Sequence, residues 1–395
     1  MRLAKRIAEL PPYVFAQAGA RIEQLKSEGV DVINLGIGSP DLPPPRAIID
    51  VLYESALRPH SHGYAGYYGL PALRRAMTDY YARRFKVQLD PDREVAVLIG
   101  SKEGLFNVSL AFVDSGDVAL IPDPGYPTYS AGTQMAGGIR YPLPLREDNS
   151  FLPELESIPA DIADAAKILW LNYPNNPTGA VADLQFLARA VNFAQRHDLL
   201  LCYDNPYCDL TFDGYRAPSV LQLPGAKEVA LEFNSLSKTY NMAGWRVGMA
   251  VGNAHAVEAL TRVKTNVDSG IFRPIQQAAI AALSGDQAWL AERNSTYQRR
   301  RDAILGFLPT IGLSAQVPKA ALYVWARLPD GQKSSDYCMD TLQRTGVWLT
   351  PGSAFGENGE GYVRIALTLP EERLRAAGQR LRKTTDNESL KEGKP

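Results

Sequence analysis

The chain predicts an α/β protein built on a mainly parallel sheet sandwiched by helices. Three observations carry this. From Ala47 onward, apolar runs of strand length alternate with amphipathic stretches of helix length. The runs are nearly continuous in apolar character, as expected of parallel strands covered on both faces. Each run also ends in a loop rich in polar residues or glycine, and at 395 residues the chain suffices for one large α/β unit or for two domains.

In chain order, Met1 to about Arg46 alternates short helical pieces with the turn-rich Leu35–Pro45, which reads as an arm and part of a smaller unit. Gly36-Ile-Gly38 resembles the start of a dinucleotide fingerprint, but Asp41 holds the third glycine position and Pro40 interrupts any following helix. Strands are expected at Val95–Ile99, Val118–Ile121, Ile168–Leu171, Leu199–Tyr203, Val229–Phe233 and Val247–Val251. After Ser269 the pattern becomes helical, at Pro274–Leu283 and Asp286–Phe307, and Arg293, Arg299, Arg300 and Arg301 read as a solvated helix face. Strands near Ala321–Trp325 and Val363–Ala366 and a last helix near Glu371–Arg382 follow. The expected divisions are an arm at 1–46, a large domain at 47–275, a small domain at 276–385 and a polar tail at 386–395, with fraying expected from Lys383.

Bulk properties exclude several function classes. A net charge of −1 and a pI near 6.5 argue against a nucleic-acid or anionic-membrane binder, which needs a basic face. Cys202, Cys208 and Cys338 are too few and scattered for a disulfide framework or a zinc cage; Cys202 and Cys208 read as packing residues, and a reducing compartment is expected. The basic start lacks an apolar core before Pro11, so it is not a secretory signal, and no continuous apolar span is long enough for a membrane. A cytoplasmic protein is expected.

The chemistry is sought at the strand ends, where ligands collect in open α/β sheets. Gly100-Ser-Lys-Glu-Gly104 opens a helix whose N–H groups can hold a phosphate, although a simple Ser cap reads the same way. Pro122-Asp-Pro-Gly-Tyr-Pro-Thr-Tyr129 holds Tyr126 or Tyr129 rigidly at the sheet's mouth, where an aromatic ring can stack on a flat heterocycle. Asn172-Tyr-Pro-Asn-Asn-Pro177 offers an oriented amide. Asp204 follows five apolar residues, a costly place for a carboxylate unless a cation or donor meets it.

Lys238 stands at the centre, shortly after the apolar run Val229–Phe233 and among Ser235, Ser237 and Thr239. Three readings compete: a surface charge, the S-x-x-K signature of serine acyl transfer, and a Schiff-base lysine beside a phosphate cup. Acyl transfer also wants S-D-N and K-T-G, and neither occurs. It further wants S-x-x-K to open a helix without a buried strand leading in.

With Ser235-Leu-Ser-Lys-Thr239 and Gly244-Trp-Arg-Val-Gly248 on the page, nearly the whole chain resembles the fold-type I pyridoxal-phosphate enzymes of the class I/II aminotransferase group. Within it the chain looks most like the LL-diaminopimelate aminotransferases, through Ile99–Gly104, Pro122–Pro127, Phe212–Ser219, Asp268–Phe272 and Gly359–Thr368. The resemblance implies a mainly parallel seven-stranded sheet sandwiched by helices with a smaller α+β domain, a homodimer with a shared active site, pyridoxal 5′-phosphate as cofactor, and amino-acid and 2-oxo-acid substrates. It implies that Lys238 forms the Schiff base and shuttles the proton, that Asp204 faces the pyridine nitrogen, that Tyr207 and Asn176 bond the ring oxygen and that Tyr126 stacks on the ring. Ser101, Lys102, Ser235 and Arg246 would hold the phosphate, together with Tyr64 from the partner subunit. Arg364 would clamp the substrate carboxylate bidentately, assisted by the Gly38 backbone and by Asn176.

The substrate's far end is less determined. The plant-type enzymes carry a glutamate after the tyrosine of the Tyr64 loop, whereas this loop reads Ala65-Gly-Tyr-Tyr68. Lys102 is kept, and Arg273 stands where glutamine is expected, as a ligand for a distal carboxylate or a solvent-facing charge. A broad aspartate, alanine or aromatic aminotransferase and a β-lyase or γ-synthase on the same scaffold are the competing expectations. A metabolite-sensing DNA-binding fusion is disfavoured because the first strand begins by Val32.

Overall fold

The structure, a computed structural model, describes residues 1–10 and 14–392. Its largest sheet has seven strands in the order Val95–Leu98, Gly248–Gly252, Ala230–Ser235, Leu200–Asp204, Ala166–Asn172, Val118–Asp123 and Ile139–Pro144. Only Gly248–Gly252 runs against the others. All six apolar runs expected as strands are found there. The seventh strand, Ile139–Pro144, escaped the sequence pattern because it is an edge: mostly exposed, with Arg140 and two prolines that only an edge position tolerates.

Strand direction brings the polar ends together. The parallel strands deliver Asp123, Asn172, Asp204 and Ser235 to one edge, with Asn172 opposite Asp204 and Asp204 opposite Phe233. Because the antiparallel strand starts at that edge, Gly248 lies opposite both Ser235 and Leu98, and Arg246 arrives there too.

Two smaller sheets form a second core. Thr350–Pro351, Tyr362–Ala366, Tyr323–Arg327 and Ser314–Ala315 make an antiparallel sheet, and Ile33–Asn34 pairs in parallel with Val347–Trp348. Their apolar faces pack with Tyr297, Ile304 and Phe307 of the helix Trp289–Phe307 and with Leu374 and Ala377 of the last helix. Helix Arg273–Ser284 straddles position 275 and places Ala278, Ala279, Ala282 and Leu283 in the larger core.

Two sequence expectations are corrected. The last helix runs from Glu371 to Glu392 instead of ending near Arg382, since no proline or glycine stops it between those points; 393–395 lie outside the described residues. The arginine run on Trp289–Phe307 is not a solvated face: Arg293, Arg300 and Arg301 are 3%, 4% and 3% exposed, and only Arg299 faces outward. Arg301 pairs with Asp213 and Asp302, and Arg300 with Asp41. The three cysteines are free and buried. Among the described residues no helix is long and apolar enough to cross a membrane, and no cluster of three metal-ligating side chains occurs.

Candidate active site

A cavity of about 970 Å³ opens at the polar edge of the large sheet. Ser101, Lys102, Tyr126, Asn176, Asp204 and Tyr207 line it from the larger core. So do Ser235, Lys238 and Arg246, while Gly38 and Arg364 close it from the second core. Eleven positions scattered between 38 and 364 therefore meet in one place.

Lys238 owes its position to the strand before it. Ser235 ends that strand and caps the short helix Leu236–Thr239, its Oγ accepting the Ser237 N–H at 3.2 Å. A buried strand thus leads straight into the serine, unlike the acyl-transfer arrangement. Lys238 Nζ donates to the Gly38 carbonyl at 2.5 Å. Burial, with the Arg364 and Arg246 charges, lowers its pKa from 10.5 to about 7. Near neutral pH much of it is free amine, able to attack a carbonyl and to carry a proton either way.

Asp204 is buried. Its Oδ2 accepts the Tyr129 hydroxyl at 2.6 Å, and its Oδ1 has no hydrogen-bond partner among the described residues. Burial pushes its pKa up to about 7, with the Tyr129 bond opposing. Asn172 fixes the neighbourhood: its Nδ2 donates to the Asp204 carbonyl at 2.7 Å and its Oδ1 accepts the Asn176 N–H at 2.8 Å.

An anion cup lies beside the lysine. Helix Ser101–Phe112 opens at the cavity, so its first N–H groups and positive dipole end face inward. Gly100 precedes it at φ +72°, a conformation that favours glycine, and a Cβ there would displace the Arg246 guanidinium from its present place. Arg246 also bonds the Ala243 carbonyl at 3.0 Å and Ser237 Oγ at 3.4 Å. Helix start, hydroxyls and guanidinium together suit a phosphate. With the unpartnered Asp204 Oδ1 for a ring nitrogen and the Lys238 amine for a carbonyl, the residues present fit pyridoxal 5′-phosphate.

Arg364 is the second cationic feature. Its Nη1 donates to Asn176 Oδ1 at 2.8 Å and its Nη2 to the Gly36 carbonyl at 2.7 Å. The guanidinium lies over the Tyr323 ring at 4.3 Å and the Phe355 ring at 4.8 Å, which fixes its plane. Tyr323 also meets Tyr207 hydroxyl to hydroxyl at 2.9 Å, and a Cβ on Gly38 would overlap the Tyr323 hydroxyl.

Tyr64 is the one proposed cofactor contact outside this cavity, and it is 88% exposed. Arg273 does not line the cavity either, and its buried Nε has no hydrogen-bond partner among the described residues. Sequence reasoning missed Tyr323, hidden in an apolar strand, and did not settle on Tyr129, one turn past Tyr126. It also missed Glu23 and Lys26, which line the cavity from helix Val14–Ser27 and pair at 2.7 Å.

Known proteins of similar sequence and structure cover the chain almost end to end. An LL-diaminopimelate aminotransferase of Moorella thermoacetica is 52% identical over 383 residues, 97% of this chain and 98% of the relative. One of the same name from Dehalococcoides mccartyi is 50% identical over 374 residues, 95% and 96% of the two chains. The substrate-bound structure of BacF from Bacillus subtilis superposes with a TM-score of 0.94 at 37% identity, covering 97% of this chain and 98% of that one. Residues 30–381 match the model of the family Aminotransferase class I and II, and with relatives this similar along its whole length the chain belongs to that family of pyridoxal-phosphate-dependent transaminases.

Proposed function

We propose that the chain is an LL-diaminopimelate aminotransferase of lysine biosynthesis, with glutamate and 2-oxoglutarate as its second substrate pair. The observation that carries the reading is the meeting of Lys238, the unpartnered Asp204 Oδ1, Arg246 and Arg364 in one cavity. The substrate assignment is supported by the relatives at 52% and 50% identity that bear this name.

Pyridoxal 5′-phosphate, when bound, supplies a carbonyl that takes up the amino group and a ring that accepts electrons from the substrate's Cα. Lys238 Nζ would hold that carbonyl and would move the proton to and from Cα, a task matched to its lowered pKa. Asp204 Oδ1 would hold the proton of the ring nitrogen. Tyr207 and Asn176 would bond the ring oxygen, and Tyr126 would cover the ring face. Ser101, Lys102, Ser235 and Arg246 would hold the phosphate. Arg364 and the Gly38 backbone take the α-carboxylate, and Lys102 adds a cation on the substrate side. Closure of the smaller unit over the larger one would then exclude water.

A panel of amino donors with 2-oxoglutarate tests the substrate. LL-Diaminopimelate is expected to give the highest kcat/KM; equal or higher values for aspartate, alanine or tyrosine overturn the assignment.

The working form proposed is a cytoplasmic homodimer. Tyr64 lies outside its own cavity and is exposed, as are Tyr53, Leu57, Tyr67 and Tyr68 near it in sequence, residue types suited to an interface. Tyr64 would then enter the partner's phosphate site. Mixing inactive Tyr64→Ala with inactive Lys238→Ala is expected to restore about a quarter of parent activity, since random pairing makes half the dimers mixed and each holds one intact site. No recovery after subunit exchange rules out a shared site.

A further inference from the structure

Helix Trp289–Phe307 places three arginines in the interior, and two of them, Arg293 and Arg300, reach backbone that carries the active site. Arg293 donates from Nη1 to the carbonyl of Lys238 at 3.1 Å and to that of Thr239, and from Nη2 to the carbonyl of Asp209 at 2.6 Å. No carboxylate among the described residues pairs with it at salt-bridge distance, and burial lowers its pKa. A buried guanidinium without a close counter-ion is expensive, and its compensation is three backbone carbonyls together with Asn294 Oδ1, which accepts from Nε at 3.1 Å and from Nη2 at 2.8 Å.

Arg300, seven residues on, grips Asp41 with two nitrogens at 2.7 and 2.9 Å, and donates to the Leu367 carbonyl at 3.1 Å. Asp41 lies three residues past Gly38, whose carbonyl accepts from Lys238, and Leu367 three residues past Arg364. Tyr297, on the turn between the two arginines, adds a hydroxyl contact to Asp41 at 3.2 Å. One rigid helix therefore holds the backbone of the lysine at one point and, two turns later, both segments that take the substrate carboxylate.

We propose that Arg293 and Arg300 are positioning residues with separate duties: Arg293 fixes the backbone from which Lys238 projects, and Arg300, through Asp41, fixes the Gly38 loop against the Arg364 strand. Neither lines the cavity, so each acts through the residues it holds. The inference rests on the roles given above to Lys238, Gly38 and Arg364. Donor preference does not enter it, so the test uses whichever donor ranks first.

Holoenzymes carrying Arg293→Lys, Arg300→Lys, Asp41→Asn and Asp41→Asn/Arg300→Lys are compared with the parent. Arg300→Lys and Asp41→Asn are each expected to raise KM for donor and 2-oxoglutarate about tenfold while kcat changes far less, because a charged, two-point hold on the carboxylate loop is lost. The double variant is expected to be no worse than either single one, since both remove one contact. Arg293→Lys is expected to lower kcat about tenfold to a hundredfold with KM little moved, and to shift the pH midpoint of the cofactor's visible band, because the lysine is displaced relative to its target. Asp41 is partly exposed, so its variant is expected to fold even if an arginine variant does not. Equal falls in kcat for all variants with unmoved KM, an unshifted pH midpoint and only a lower melting temperature would mean that the arginines hold the fold and nothing more.

Discussion

Lys238→Ala is expected to lower kcat by more than about 10⁴-fold, because the group that attaches the cofactor and the group that moves the Cα proton are one amine. Two further results should accompany it. Borohydride treatment should fix the cofactor covalently to the parent, seen as a mass increase on the peptide containing Lys238, and leave the variant's peptide unchanged. Stability of cofactor-stripped protein should not fall, since Lys238 is a cost to the fold. Its pKa is lowered to about 7 in the folded state, so between about pH 7 and 10.5 the unfolded chain binds more protons. That cost is complete below pH 7 and fades as pH rises towards 10.5. Stripped Lys238→Ala is therefore expected to exceed the parent in urea resistance most clearly near pH 6. Turnover within a hundredfold of the parent would remove Lys238 from the mechanism, and a retained mass shift would place the attachment elsewhere.

What the sequence disclosed follows from where a residue's partners lie. Lys238 and Asp204 were legible because each puts a charge at or just past the end of a run that must be buried, a local contradiction that only a ligand or a distant partner resolves. The six central strands were legible for a related reason: burial on both faces leaves continuous apolar runs. Edge strand Ile139–Pro144 has no such run, since one side and much of its surface face solvent. Arg293, Arg300 and Arg301 were misread because their partners are remote; Asp41 is 259 residues from Arg300, and the carbonyls bonded by Arg293 carry no sequence signal. Tyr323 and Tyr129 share that difficulty. An aromatic in an apolar strand or turn looks like packing until the structure shows what its hydroxyl meets, Tyr207 in one case and Asp204 in the other.

Asp204→Asn should separate function from stability in opposite directions. Asparagine keeps the shape and can still accept the Tyr129 hydroxyl, but it has no charge with which to hold a proton on the cofactor's ring nitrogen. Loss of such a matched charge inside a closed site is expected to lower kcat by about 10²–10³-fold. In cofactor-stripped protein the same change is a gain. The folded Asp204 pKa of about 7 lies above its ordinary 3.8, so between about pH 4 and 7 the unfolded chain binds fewer protons than the fold. Stability of the stripped parent therefore falls as pH rises through that window and stays lowered above it. The variant has no group there to titrate, and at pH 8 it is expected to be more stable than the stripped parent by a few kcal/mol, on the order of 1.4 for each pKa unit of the shift. Urea melts of both stripped proteins at pH 5, 6, 7 and 8, paired with kcat of the holoenzymes, decide it. Parallel stability profiles would mean that Asp204 does not titrate in the fold as its burial requires. A kcat within tenfold of the parent would mean that another group holds the ring proton. Both results as expected would show that the cost of burying an unpaired carboxylate is retained because the cofactor's ring nitrogen is its partner.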